Sequence, residues 1–203
     1  LEKREHINSE FYKNSGMHGQ NPNTLEFWLK ETDWDDQRRF LMFKEKIVNK
    51  KILDFGCGAA GFLNKINKIS SYAAGIEVED RVRKFWKDKM DLFPSIEDCI
   101  TKGNRKFDLI TSFHVFEHLI DPRKVLTSFL NILDSKGNVI IEVPNASDAL
   151  LTLYDCQDFQ KFNYWSQHLF VFNELNLKTL AEQSGFNVLS IQHYQRYPLS
   201  IQS

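Results

Sequence analysis

The chain of 203 residues reads as a doubly wound α/β domain, a mainly parallel sheet with helices on both faces. Three observations predict this. Short apolar runs alternate with segments of helical periodicity. The first two runs each reach an acid, Asp54 and Glu77. A turn carrying Gly56, Gly58 and Gly61 lies where the first run gives way to the first helix. Apolar strands with little alternation mark a sheet covered on both faces, and such sheets bind ligands beyond the carboxyl ends of their strands.

Taken in order, residues 1–24 are polar and end in Gln20-Asn21-Pro22-Asn23, which reads as a flexible arm. A short aromatic helix is expected around Leu25 to Leu29, and Asp33 is placed to cap a second one carrying Phe40, Leu41, Phe43 and Ile47. This front section, residues 1–48, is expected to pack over the glycine turn as a lid on a binding domain at 49–203, the whole forming one structural domain. Lys51 to Leu63 supplies a strand, the turn and a helix continued by Ile66 and Ile69. Tyr72 to Glu77 is a second strand, and Val82, Phe85 and Trp86 mark a helix within Asp80 to Met90. Pro94 limits the Leu92 to Cys99 region to a short or edge strand. Phe107 to Phe113 is a clear strand, and Asp121-Pro122 opens a helix with Val125, Leu126, Phe129, Ile132 and Leu133 on its buried stripe and Gly137 at its end. Asn138 to Val143 is a strand stopped by Pro144. An irregular aromatic stretch follows, from Tyr154 to Phe172. Asn173 caps a last helix, with Phe172 and Leu177 at staple positions and Gly185 at its end, and Asn187 to His193 forms a final strand.

A formal net charge of -1 gives no bulk attraction to nucleic acid or to an anionic membrane. No apolar run approaches the roughly 20 residues that span a bilayer, and the first residues lack a signal-peptide core, so a cytoplasmic location is expected. Cys57, Cys99 and Cys156 form no C-x-x-C pair and read as reduced thiols. No metal is expected.

The spacing Gly56-x-Gly58-x-x-Gly61 matches the dinucleotide fingerprint literally, with Glu77 near the position of a ribose-binding acid. Asp54 argues against a dinucleotide, because a carboxylate two residues before the first glycine would repel a pyrophosphate. It suits a ligand with an ammonium group and a sulfonium charge. Here the chain resembles the class I S-adenosylmethionine-dependent methyltransferases, similar to the ubiquinone-biosynthesis-type O-methyltransferases and to small-molecule and sugar methyltransferases. The resemblance spans about Gln37 to Tyr194. It rests on Leu53-Asp-Phe-Gly-Cys-Gly58, Gly75-Ile-Glu77, Phe107 to Leu119, Val139-Ile-Ile-Glu-Val-Pro-Asn145 and His168-Leu-Phe-Val-Phe-Asn173.

That resemblance implies a Rossmann-like methyltransferase fold with S-adenosylmethionine as cofactor. Asp54, Phe55, Gly56, Cys57 and Gly58 would hold its methionine part, Glu77 with Val78 beside it the ribose, and Ile96, between Ser95 and Glu97, the adenine. Phe113 and His114 would flank the cofactor. Such sheets end in an antiparallel pair, whereas this sequence offers one candidate strand before Ser203. Either the chain is trimmed, as Leu1 in place of methionine also hints, or another segment completes the edge. An unpaired edge favours association, so a homodimer is an expectation.

For catalysis, His118 is the first choice of base, since imidazole has the unperturbed pKa best suited to the role at neutral pH. Glu117 would orient it or hold the substrate, and His168 would add a second polar group among Tyr164, Trp165 and Phe170. The expected acceptor is a small molecule, a sugar or nucleotide sugar of surface-polysaccharide biosynthesis. A quinone or phenol is the alternative. Two other classes remain beside it, a cofactor-binding protein without catalysis and, from His114-Val-Phe-Glu117-His118 as H-x-x-E-H, a zinc metallopeptidase.

Overall fold

The computed structural model describes residues 25–103, 105–164 and 167–194, so the expected arm at 1–24 and Trp165 lie outside the described residues. Among these residues five strands, β1 Lys51–Phe55, β2 Tyr72–Ile76, β3 Asp91–Phe93, β4 Phe107–Phe113 and β5 Leu133–Glu142, form one parallel sheet ordered β3-β2-β1-β4-β5. The sheet grows outward from β1 in one direction and then crosses back to its other side. The switch point, where open α/β sheets bind ligands, therefore lies between the ends of β1 and β4.

Nine helical elements flank the sheet among the described residues. They are α1 Leu25–Ile47, α2 Gly61–Ile66, α3 Asp80–Trp86, α4 Ile96–Asp98 running into a π turn, a 3₁₀ turn Phe116–His118, α5 Pro122–Phe129, α6 Ala149–Thr152, α7 Gln157–Asn163 and α8 Glu174–Gln183. Two apolar clusters show the layering. Ile52, Ala73 and Leu109 pack with Ile47, Phe62, Leu63, Ile66, Val82 and Trp86 of α1 to α3. Leu53, Phe55, Ala74, Ile76 and Ile110 pack with Leu126 and Phe129 of α5 and, at its rim, with Leu177 and Leu180 of α8. Neighbouring strand residues thus face opposite layers, as the two-residue period requires.

Several end signals act as read. Asp121 accepts the Lys124 N–H and Asn173 the Asn176 N–H as N-caps. Gly185, at φ 91°, closes α8 with paired bonds, Gly185 N–H to Glu182 and Phe186 N–H to Ala181, the Schellman pattern. Three readings change. The front section is one helix of 23 residues, not two. Asp33 lies inside it and meets Lys65 of α2 at 2.8 Å; aspartate costs little at an exposed helix position, and the apolar contacts of Leu25, Leu29, Phe40, Phe43 and Ile47 carry the helix through it. Gly137 lies within β5 and not at the end of α5. A Cβ there would come 2.7 Å from Leu133 Cγ and 2.9 Å from the Phe107 carbonyl, beside the register shift between Phe107 and Leu109. Asn187 to His193 is not a strand; its apolar residues do not alternate, and Leu189 is 83% exposed.

Candidate cofactor and acceptor site

The glycine turn leaves β1 with positive φ at Gly56 (71°) and Gly58 (54°), a backbone that side chains resist. A Cβ on Gly56 would collide with Val115, and one on Gly58 would come 3.2 Å from the Trp28 ring. Helix α1 therefore lies directly over the turn, with Asp36 against Gly61. Cys57 donates its N–H to Ile76, tying the turn to β2, while the Phe55 side chain points into the core against Phe129 at 5.2 Å. Phe55 thus offers the turn its backbone.

Two acids line this turn. Glu77 is 9% exposed; one carboxylate oxygen accepts the Gly58 N–H and the other the Glu79 N–H, each at 2.9 Å. Burial pushes its pKa up to about 7, against the lowering effect of backbone hydrogen bonds and Arg83. Asp54, 3% exposed, accepts the Thr111 hydroxyl at 2.7 Å, and burial likewise pushes it up to about 7. Val78 is half-buried beside Glu77, and Ile96 is buried at the start of α4, whose N-cap is Ser95.

The ends of β4 and β5 carry a second polar group. His114 follows β4 directly at φ 56°, in the left-handed region that few non-glycine residues enter. Its Nδ1 lies 3.2 Å from Glu117 Oε1 and its Nε2 3.2 Å from Glu142 Oε1. Glu142 also accepts from Arg38 Nη2 at 2.9 Å and from Arg39 Nη2 at 2.6 Å. Burial opposes ionisation of Glu142, but the His114 hydrogen bond and Arg39 outweigh it and hold the carboxyl well below its usual range. Phe113 packs toward α1, stacked on Phe43 at 6.0 Å with the Arg39 guanidinium of this group 4.6 Å from its ring centre.

The three residues expected to act in catalysis come together. One donor atom from each of Glu117, His118 and His168 lies within 4.8 Å of the others, and the two imidazoles meet edge to face at 4.8 Å. His118 Nδ1 donates to the Gln167 carbonyl at 2.9 Å and His168 Nδ1 to the Asn163 carbonyl at 2.8 Å. A carbonyl only accepts, so each neutral ring carries its proton on Nδ1 and its lone pair on Nε2. Burial lowers the His118 pKa, with Glu117 and Gln167 opposing, which favours the neutral ring. The Leu169 and Phe170 N–H groups both donate to the Glu117 carbonyl, fastening the His168 segment to the 3₁₀ turn. Two imidazoles and a carboxylate would also suit a divalent cation. His114 and His118 do not share an α-helix, so the zinc-peptidase geometry of H-x-x-E-H is not formed. Of the expected aromatics, Tyr164 is exposed and Phe170 stacks on Phe172 at 5.9 Å.

Sequence reasoning missed Trp28, Arg38, Arg39, Thr111 and Glu142. A signal existed for Glu142, a third acid at the end of an apolar strand, like Asp54 and Glu77. Nothing in the sequence pairs it with Arg38 and Arg39, a hundred residues earlier.

A doubly wound sheet with a left-handed glycine turn and a buried acid after β2 defines a nucleoside-cofactor domain. The family model described as methyltransferase domain matches residues 27–191, and the chain belongs to that family. A ubiquinone biosynthesis O-methyltransferase of Vibrio atlanticus is 23% identical over 64% of this chain and 53% of its own length. An uncharacterized methyltransferase of Bacillus mycoides is 25% identical over 76% of this chain and 68% of its own. The chain thus spans about half the length of the first of these relatives and two thirds of the second. Among solved structures, a SAM-dependent methyltransferase from Archaeoglobus fulgidus superposes with a TM-score of 0.55 at 20% identity, over 86% of this chain and 74% of the other. The magnesium protoporphyrin IX methyltransferase of Synechocystis, with bound SAH, gives 0.59 at 9% identity over 87% of both. These likenesses agree with the fold. No helix of the described residues is long and apolar enough to cross a membrane.

Proposed function

We propose that this protein transfers the methyl group of S-adenosylmethionine to a hydroxyl of a small-molecule acceptor, most plainly a sugar or nucleotide sugar. The convergence of Glu117, His118 and His168 beyond the ends of the central strands carries the reading. The cofactor supplies an electrophilic methyl on a sulfonium. Glu77 would accept both ribose hydroxyls, and Arg38 Nη1, a buried donor without a partner among the described residues, suits the carboxylate of the methionine part. His118 Nε2 would take the proton of the acceptor hydroxyl, whose oxygen would receive the methyl group. Glu117 Oε2, buried and without a partner among the described residues, accepts a hydrogen bond from the acceptor, and His168 adds a second ring nitrogen. Groups that only accept suit a hydroxyl-rich ligand. The resemblance of the Glu117-His118-Leu119 and His168 to Phe172 segments to polysaccharide methyltransferases supports the sugar. The Vibrio relative supports a quinone or phenol as the second reading.

Calorimetric titration with S-adenosylmethionine, S-adenosylhomocysteine and NAD tests the cofactor, with micromolar binding expected for the first two and none for NAD. A screen of nucleotide sugars and catechols then tests the acceptor, and absence of turnover with every acceptor would favour a binding protein without catalysis. In an active assay, His118→Ala keeps cofactor binding and lowers turnover about 10²-fold or more. Unchanged turnover removes His118 from the role of base.

A further inference from the structure

Glu142 sits where three parts of the site meet. It is the last residue of β5, paired in register with Phe113 of β4, so its side chain emerges at the carboxyl edge of the sheet. Its carboxylate is gripped from one side by α1, through Arg38 Nη2 on both oxygens (2.9 and 3.0 Å) and Arg39 Nε and Nη2 on Oε1 (3.2 and 2.6 Å). From the other side it meets His114 Nε2, and its own backbone carbonyl accepts the His114 N–H at 2.8 Å. His114 is thus held at main chain and ring together, which accounts for a histidine resting at φ 56°. The opposite ring nitrogen of His114 faces Glu117 Oε1, and Glu117 is 1% exposed with its other oxygen unpartnered among the described residues. A buried carboxylate with one oxygen fixed and one vacant is aimed by whatever fixes it.

We propose that Glu142 is a positioning residue for the acceptor site. Clamped by Arg38 and Arg39, it sets the His114 ring, and His114 in turn aims the vacant oxygen of Glu117 at the acceptor. The same clamp joins this turn to α1, the helix that lies over Gly58 and Gly61. Cofactor binding beneath α1 and order in the acceptor turn are then one event, carried by a short continuous chain of polar contacts. This rests on the cofactor-binding reading above and assigns a role to a residue that touches neither cofactor nor acceptor.

Hydrogen exchange read by mass spectrometry tests it without knowledge of the acceptor, using the full chain with and without S-adenosylhomocysteine. In the wild type the ligand should slow exchange both in α1 and in residues 113–119, at least tenfold. In Glu142→Gln, which keeps the shape and removes the charge, α1 and the glycine turn should still gain protection while residues 113–119 gain less than about twofold. Glu142→Asp, which restores the charge, should recover part of it. His114→Asn, whose residue tolerates a positive φ, breaks the same chain from the other side, should repeat the pattern, and serves if Glu142→Gln does not fold. Equal ligand-induced protection of residues 113–119 in the wild type and in both charge-breaking variants overturns the proposal. Failure of S-adenosylhomocysteine to bind the wild type overturns the cofactor reading with it, and calorimetry on the same samples tells the two apart.

Discussion

Asp54 and Glu77, buried at the ends of β1 and β2, and Glu142, half-buried at the end of β5, are carboxylates along one edge of one sheet, yet their surroundings are opposite. Burial drives the first pair up to about 7, since backbone N–H groups, one hydroxyl and arginines that do not touch the carboxylates do not offset the loss of water. Glu142 loses less water and has two guanidinium groups and an imidazole in direct contact, so its carboxyl is held far below the usual range. A structural ion cluster compensates its charges internally. A ligand site keeps charge and hydrogen-bonding capacity in reserve, and strongly raised carboxyls at strand ends are what such a reserve looks like.

The largest effect that could break this contrast belongs to Glu77. If its carboxylate is reserved for the ribose, Glu77→Ala should weaken binding of S-adenosylhomocysteine by about 100-fold or more, since two charge-assisted hydrogen bonds are lost together. Calorimetry measures it. A loss below tenfold would mean that Glu77 is committed to Gly58 and Glu79 and has no cofactor role.

Stability should invert the ranking. Glu142→Gln leaves Arg38 and Arg39 with a neutral neighbour, and breaking this half-buried ion cluster from one side costs about 2 to 3 kcal/mol. Glu77→Gln removes a buried charge with no cation against its carboxylate but turns an amide NH2 toward one of the two backbone N–H groups it accepts, so it should cost the ligand-free protein about 1 kcal/mol at pH 8, less than Glu142→Gln. Urea unfolding of both variants decides this. Equal losses would show that the two acids are not different in kind.

The glycine turn and its two buried acids were legible in the sequence for a reason that the cluster of Glu117, His118 and His168 does not share. Glycines at 56 and 58 announce a backbone requirement that no distant residue can satisfy for them, and Asp54 and Glu77 stand a fixed step from their strands. Asn173 and Gly185 were legible in the same way, because caps act within a few residues. Gly137 misled because glycine serves equally as a helix end and as a strand bulge, and only the facing Leu133 and Phe107 distinguish the two. Asp33 misled because a capping residue costs little at an exposed position within a helix that its apolar contacts carry through. Glu117, His118 and His168 could be named as chemistry-bearing residues, but Gln167 and Asn163, whose carbonyls set the tautomers, act through main-chain atoms common to every residue. The Arg38, Arg39, His114 and Glu142 cluster joins residues a hundred positions apart and depends on the crossover that places β5 beside β4.

The smallest effect separates the two kinds of acid by pH. For Glu77 and Asp54 the folded pKa, about 7, lies above the ordinary carboxyl value, so the native state binds protons more tightly than the unfolded chain. Their contribution to stability is full below about pH 4 and is lost as pH rises through 7. Glu142 has the opposite sign: its contribution is full above the ordinary carboxyl range and is lost only as pH falls through its lowered folded value. Ligand binding reads the first pair directly, because Glu77 must be ionised to accept both ribose hydroxyls. Binding of S-adenosylhomocysteine should therefore release close to one proton at pH 6 and almost none at pH 8.5, with affinity falling by up to about tenfold per pH unit below 7. Calorimetry in two buffers of different ionisation enthalpy counts the protons. Wild-type release persisting in Asp54→Asn assigns the proton to Glu77, whereas release abolished in that variant transfers the reserve to Asp54 and leaves Glu77 ionised before the cofactor arrives.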